Sequence, residues 1–240
     1  MTQTGEKISA FSAAELTRTR TGLDIARADG SGRICYILLP EGLKQEGRAW
    51  MEDAAGRFGV NIVAISGIDW NDNLTPWSAE GVFRKAKPFG GHASIFLKEL
   101  RDEYIPAIES SMGIKDAERF LAGVSLSGLF AVWAAFTADI FQGIASISGS
   151  LWYDGFADWC LSRPLSPSVR KVYLSLGDRE KKTKDARMAT VEDATRLTAR
   201  ALREKGARVE FVLEENTTHF SPIVPRLEKT FEALFAPEKA

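Results

Sequence analysis

Histidine and cysteine are scarce in this chain. Its 240 residues include two histidines, His92 and His219, and two cysteines, Cys35 and Cys160, and there is no CxxC or HExxH pattern. Protein sites for transition metals are built mainly from clusters of these two residue types, so we expect no metal ion. The phosphate-binding pattern GxxxxGK[ST] is also absent. We therefore expect a protein that works without a metal or any other cofactor.

The chain also lacks an excess of either charge and lacks a long apolar run. Lys and Arg number 31, Asp and Glu number 32, and the two signs are intermixed. This composition predicts no nucleic-acid partner. The first ten residues, MTQTGEKISA, have no apolar core like that of a signal peptide, and no segment is long enough to cross a bilayer. We expect a cytoplasmic protein with two buried thiols and no membrane partner. A homo-oligomer is compatible with the sequence and stays open.

Seven strand-like runs follow one another along the chain, and from the second run onwards helix-like runs come between them. This alternation predicts a mostly parallel sheet with helices on both faces. A chain of 240 residues is long enough for one extensive core, so we predict a single α/β domain over residues 1–240 without a large lid domain. The predicted strands are 22–28, 33–39, 60–65, 120–124, 143–147, 171–176 and 208–213, and the predicted helices include 47–58, 93–109, 127–137 and 185–205.

The segment AGVSLSGLF at 122–130 places Ser125 where a strand is expected to turn into a helix. A turn this sharp closes only if the residues two before and two after the serine are small, and here they are Gly123 and Ser127. The turn exposes the serine hydroxyl and aims the first helical amides at the reacting centre, where they stabilise negative charge. The pattern predicts a nucleophile. A close helix-to-sheet contact would explain the same small residues without catalysis.

Ser127 departs from the signature GxSxG of α/β-hydrolases, in which glycine occupies this position. Serine adds only a hydroxymethyl group, and Gly128 follows it directly. Ser127 is itself the poorer candidate for the nucleophile, because Leu129 would then stand where a small residue is needed. We therefore assign the nucleophile to Ser125.

A serine hydroxyl needs a base that accepts its proton, and histidine is the usual base. His219 follows the last predicted strand and precedes a helix that we expect to have Ser221 as its N-cap and Pro222 as its first residue. In α/β-hydrolases the chain order is serine, acid, histidine, and the histidine follows the last strand. The order of these residues along the chain and the position of the loop favour His219 as the base. We expect that substitution of His92 by alanine costs little activity unless His92 lines the substrate cleft.

Two carboxylates, Asp178 and Glu180, follow the predicted strand at 171–176 and compete for the role of the acid. The acid accepts a hydrogen bond from the imidazole, fixes its tautomer and stabilises the imidazolium. In α/β-hydrolases it commonly lies three residues after the glycine that ends this strand. That spacing from Gly177 favours Glu180, and Asp178 stays the alternative.

The oxyanion of an acyl-transfer reaction needs two backbone N–H donors. Leu126, directly after the nucleophile, supplies one by its position. The second donor normally comes from the loop after an earlier strand. The loop after the strand at 33–39 contains Gly42 and Leu43, which are our candidates, although glycine is also an ordinary turn residue.

The chain resembles the esterase D-like and enterobactin esterase-like branch of the α/β-hydrolases. The resemblance spans roughly residues 33–235 and rests on five segments: AGVSLSGLF, SLGDRE at 175–180, NTTHF at 216–220, GGHASIFLKELRDEYIPAIE at 90–109 and SISGSLWYDGF at 146–156. It implies hydrolysis of carboxylic esters through an acyl-enzyme intermediate, without a cofactor. It also implies a catalytic triad of Ser125, Glu180 and His219.

Tryptophans follow several predicted strands, which places them near the expected site. Trp70 and Trp152 are our candidates for substrate binding, because aromatic walls suit an acyl group, an aryl ester or a sugar face. We expect an open cleft that takes small or extended polar esters. Two alternatives stay open: an inactive hydrolase fold that only binds its ligand, and an acyltransferase that uses the same triad.

Overall fold

A mixed sheet of seven strands forms the centre of the computed structural model, which describes residues 22–82 and 86–237. The strand order in the described chain is β1-β3-β2-β4-β5-β6-β7. Strand β1 runs antiparallel to β3, and the other neighbouring pairs are parallel. The strands are β1 (Gly22–Ala26), β2 (Arg33–Leu38), β3 (Asn61–Ser66), β4 (Glu118–Val124), β5 (Gly143–Ile147), β6 (Lys171–Gly177) and β7 (Arg208–Glu214).

Helices follow most of the strands, as the sequence predicts, so the α/β fold class is confirmed. The segment MTQTGEKISA lies outside the described residues. Within the described ranges, no helix combines the length and the apolar composition that a bilayer crossing requires. The helices are α1 (Gln45–Phe58), α2 (Trp70–Asn73), α3 (Ala93–Glu99), α4 (Ile105–Met112), α5 (Leu126–Thr137), α6 (Phe156–Ser162), α7 (Val191–Glu204) and α8 (Ile223–Phe235).

Helices cover both faces of the sheet because successive strand residues point to opposite sides. In β2, Tyr36 belongs to a core that includes Phe96 of α3 and Phe130 of α5. Its neighbour Ile37 belongs to the opposite core, where Phe231 of α8 packs. Central strands such as β2, β3 and β5 are therefore buried on both faces, which leaves their carboxyl ends and the loops that follow as the accessible edge.

Some predicted helices have different bounds in the structure. The helix predicted at 185–205 forms only over Val191–Glu204, after a short 3₁₀ turn at Met188–Thr190. The helix at 93–109 is interrupted by a π-helical turn, Leu100–Tyr104. The last helix begins at Ile223 with Pro222 as its N-cap, so the prediction of Ser221 as the N-cap was wrong. The hydroxyl of Ser221 instead accepts a hydrogen bond of 3.0 Å from the N–H of Thr218 and closes the loop around His219.

The small residues around Ser125 allow the helix α5 to approach the sheet closely. A Cβ atom placed on Gly123 would lie 2.1 Å from the carbonyl oxygen of Ser127, far inside contact distance. A Cβ atom on Gly128 would lie 2.9 Å from the Cα of Gly149. Glycine at these two positions is therefore a steric requirement of the turn.

The substitution Gly123→Ala is expected to destabilise the fold by about 2 kcal/mol or more, since backbone must move to admit the methyl group. Gly56→Ala is the matched control, because the same Cβ meets nothing within 4 Å on an exposed face of α1. Alanine there should add about 0.5–1 kcal/mol of stability. Urea unfolding of both variants measures the difference, and equal effects would contradict the steric argument.

Candidate active site

Ser125 adopts a backbone conformation that L-residues rarely occupy. Its φ is 57° and its ψ is −121°, between the end of β4 and the start of α5. Such a conformation costs about 1–3 kcal/mol and persists only when surrounding contacts hold it. The Ser125 N–H donates to the carbonyl of Ile147 at 3.1 Å, and the Ser125 carbonyl accepts from the N–H of Ser150 at 2.9 Å. These bonds to the neighbouring β5 segment hold the strained turn.

The structure brings Ser125, His219 and Glu180 together at the carboxyl edge of the sheet. The Nε2 atom of His219 lies 3.1 Å from the Oγ of Ser125. Its Nδ1 atom lies 2.8 Å from the Oε2 of Glu180. The three residues follow β4, β7 and β6, which occupy one half of the sheet. The result is a continuous chain of hydrogen bonds from a carboxylate to a serine hydroxyl.

Glu180 is almost fully buried, with 4% of its side chain exposed. Burial acts to raise the pKa of this carboxyl, but hydrogen bonds from His219, from the hydroxyl of Ser148 and from the N–H of Gly177 outweigh it. The pKa is therefore held below its usual value of 4.5. A carboxylate that stays ionised can hold the Nδ1 proton of the imidazole and stabilise its positive charge.

Asp178 has a different place in the structure. Its Oδ1 accepts a hydrogen bond of 3.1 Å from the N–H of Thr217, two residues before His219. Its own N–H donates to the carbonyl of Glu214 at 3.0 Å. Asp178 therefore shapes the loop that carries the histidine, and Glu180 is the carboxylate that faces the ring.

A cavity of about 360 Å³ opens beside Ser125 and His219. Both predicted substrate-binding residues, Trp70 and Trp152, line it. The Arg187 guanidinium lies 5.4 Å from the ring centroid of Trp152 and also pairs with the Asp154 carboxylate at 2.9 Å. These contacts of Arg187 hold the Trp152 wall of the cavity in place. The remaining lining residues are mostly apolar: Asn71, Val82, Ala86, Lys87, Phe89, Leu126, Ser150, Met188 and Phe220.

The candidate oxyanion donors line two different cavities. Leu126 is the first residue of α5, where an N–H group has no partner within the helix, and it lines the same cavity. Gly42 and Leu43 line a neighbouring cavity of about 540 Å³. Phe220, which directly follows His219, contributes to the lining of both cavities.

Other predicted residues lie away from the serine. His92 is the N-cap of α3 and does not line the cavity that contains Ser125. Cys35 and Cys160 are buried free thiols, and burial raises the pKa of each above its usual range.

Sequence reasoning missed several polar groups behind the triad. Ser148 donates a hydrogen bond to Glu180, and the Oγ of Ser150 lies 3.4 Å from that of Ser125. Arg226, buried in α8, lies 3.2 Å from the Glu214 carboxylate and 3.9 Å from that of Glu180. Ser148 and Ser150 directly follow the strand predicted at 143–147, and this position was the available signal for both. The sequence gives no signal for Arg226, because the residues around it follow the pattern of an ordinary amphipathic helix.

A serine on a strand-to-helix turn at the carboxyl edge of a mostly parallel sheet, bonded to a histidine that follows the last strand, defines the class of α/β-hydrolases. The family model described as "Putative esterase" matches residues 38–218, which is most of the chain. The chain therefore belongs to this esterase family.

One curated relative and several solved structures resemble the chain. The uncharacterized protein YbbA of Bacillus subtilis (strain 168) is 30% identical over 148 residues, 60% of this chain and 59% of the relative. The IroE-like serine hydrolase from Shewanella oneidensis superposes with a TM-score of 0.72 at 19% identity, over 89% of this chain and 75% of that one. The siderophore hydrolase EstB from Aspergillus nidulans superposes with a TM-score of 0.68 at 15% identity, over 90% of this chain and 89% of that one. These structures share the fold.

The substitution Glu180→Gln is expected to reduce ester hydrolysis on the order of 10²- to 10⁴-fold, because an amide neither fixes the imidazole tautomer nor stabilises its charge. Asp178→Asn is the matched control and should lose less than about tenfold, since it changes only the loop. Values of kcat for both purified variants test this order. Equal losses would contradict the assignment of the acid to Glu180.

The lowered pKa of Glu180 also makes stability depend on pH. A carboxyl whose pKa is lower in the folded protein than in the unfolded chain stabilises the fold at pH values above about 4.5, and loses this effect as pH falls through the folded value. The stability advantage of the wild type over Glu180→Gln should therefore be complete just above pH 4.5 and shrink below it. Urea unfolding at several acid pH values measures this, and an advantage that grew on acidification would contradict it.

Proposed function

We propose that this protein is a serine esterase that hydrolyses carboxylic esters through an acyl-enzyme intermediate. The single observation that carries the proposal is the chain of contacts from Glu180 through His219 to Ser125, at 2.8 and 3.1 Å. An inactive binding protein has no need to keep the serine and the histidine within reach of one proton. The contact therefore favours the enzyme over the binding protein.

In the proposed reaction the Oγ of Ser125 attacks the ester carbonyl while Nε2 of His219 accepts the hydroxyl proton. Glu180 holds the Nδ1 proton and stabilises the imidazolium. The N–H of Leu126, together with that of Gly42 or Leu43, stabilises the oxyanion. His219 then returns the proton to the leaving alcohol. A water molecule, deprotonated by the same imidazole, attacks the acyl-enzyme and releases the acid and free Ser125.

The choice of water as acceptor is supported by the exposure of the site. The side chain of His219 is 28% exposed, so water reaches the imidazole without the opening of a lid. An acyltransferase gains by excluding water from its intermediate. Hydrolysis is therefore the reaction that the exposed site favours.

The cavity beside Ser125 supports esters with a compact aromatic or branched group. Its walls are mostly apolar and include Trp70, Phe89 and Trp152, and its volume of about 360 Å³ suits one ring with a short chain. Short acyl, feruloyl, acetyl-sugar and catecholate esters form the panel that defines the substrate. A siderophore ester is added to the panel because two structural neighbours are named as siderophore hydrolases.

A fluorophosphonate probe is expected to label the purified protein at Ser125, because this reagent traps activated serines. Ser125→Ala should abolish both the labelling and the cleavage of short p-nitrophenyl esters. Ser110→Ala, an exposed serine on α4, is the matched control and should label like the wild type. Mass spectrometry of the labelled peptide identifies the modified residue. A wild-type protein that neither labels nor cleaves would overturn the proposal.

A further inference from the structure

Ser127, which occupies the position of the usual glycine, has a fully buried side chain. Its Oγ lies 2.7 Å from the N–H nitrogen of Val124 and 2.7 Å from the carbonyl oxygen of Leu38. It also lies 2.8 Å from the carbonyl oxygen of Val124. A hydroxyl carries one proton and accepts others. Ser127 therefore accepts from the Val124 amide and donates to one of the two carbonyls.

The groups that this hydroxyl joins lie at the ends of two neighbouring strands. Leu38 is the last residue of β2 and Val124 the last of β4, and Leu38 stands opposite Gly123 in the parallel ladder. Beyond these residues the two chains separate. The chain after β2 forms the loop with Gly42 and Leu43, and the chain after β4 turns into Ser125. Donation to the Leu38 carbonyl, the shorter of the two contacts, joins the two strands at their last residues, directly before Ser125 and four residues before Gly42.

The backbone of Ser127 is held in place independently of its hydroxyl. The missing Cβ of Gly123 leaves room for the Ser127 carbonyl, which any side chain at 123 would meet at 2.1 Å. A glycine at 127 would keep this packing and lose the bridge. A serine at position 127 therefore adds a hydrogen-bonded link to the turn, whereas the usual glycine only allows close packing.

We propose that Ser127 is a positioning residue, whose hydroxyl sets the loop at 42–43 relative to Ser125 and so aligns the second oxyanion donor with the first. The effect on catalysis rests on the proposed esterase function. The link between β2 and β4 does not rest on that function, because it depends only on the hydrogen bonds of the Ser127 hydroxyl.

Two substitutions separate the hydroxyl from the volume of the side chain. Ser127→Ala leaves a methyl group against a buried N–H and a buried carbonyl, and the methyl excludes water from both. Ser127→Gly leaves room for a water molecule that restores part of the bridge. We expect kcat per active site to fall about 10- to 100-fold in Ser127→Ala, and less in Ser127→Gly, with little change in KM.

Titration with the fluorophosphonate probe counts the active sites, so kcat is expressed per competent molecule. A purely structural serine would lower the number of active sites and the urea midpoint without changing kcat per site. Values within twofold of the wild type in both variants would overturn the positioning role. If Ser127→Ala does not fold, the decrease in kcat per active site of Ser127→Gly tests the positioning role.

Amide hydrogen exchange tests the link without any substrate. The Val124 amide should exchange faster in Ser127→Ala than in the wild type, because its acceptor is gone, while amides of β3 keep their rates. An unchanged Val124 rate would show that this amide does not depend on the hydroxyl, and would overturn the β4 half of the link. A wild-type protein inert to ester and probe would overturn the esterase proposal, and the exchange result would still decide the role of the hydroxyl.

Discussion

The contact between Gly123 and the Ser127 carbonyl is the constraint on which the rest of the site depends. Because these two backbone segments touch, α5 starts directly at the end of β4 and Ser125 has to take a positive φ. That conformation aims Oγ towards the edge of the sheet where the loops after β6 and β7 end. The geometry of the triad is therefore a consequence of backbone packing, and the side chains complete an arrangement that the turn has already set.

The fold and the candidate triad were predictable because each depends on a local pattern. Alternating apolar runs indicate strands, and a serine between very small residues indicates the turn whatever surrounds it. Glu180 followed from its spacing to Gly177. The groups behind the triad were not predictable in this way, because Ser148 and Arg226 meet Glu180 only after three separate elements have packed. The start of α8 was missed for a related reason, since Ser221 bonds within the loop of His219.

Burial of charge around Glu180 reaches beyond the hydrogen bonds of the triad. The side chains of Arg226 and Glu214 are each about 3% exposed and pair with one another under the loops that carry Glu180 and His219. Removal of one partner from such a pair leaves the other charge unpaired, at a cost of about 3–5 kcal/mol. The last helix therefore does more than cover the sheet. It places a cation beside the carboxylate of Glu180, which contacts His219.

The exposed ring of Phe220 places an apolar surface directly beside the imidazole of His219. It directly follows His219, contacts it edge to face at a centroid distance of 5.4 Å, and is 93% exposed. A bound substrate that covers this ring also displaces water from the adjacent imidazole. The local dielectric then falls, which strengthens the electrostatic attraction between His219 and Glu180. A ligand on this one exposed ring would thus also exclude water from the contact between His219 and Glu180.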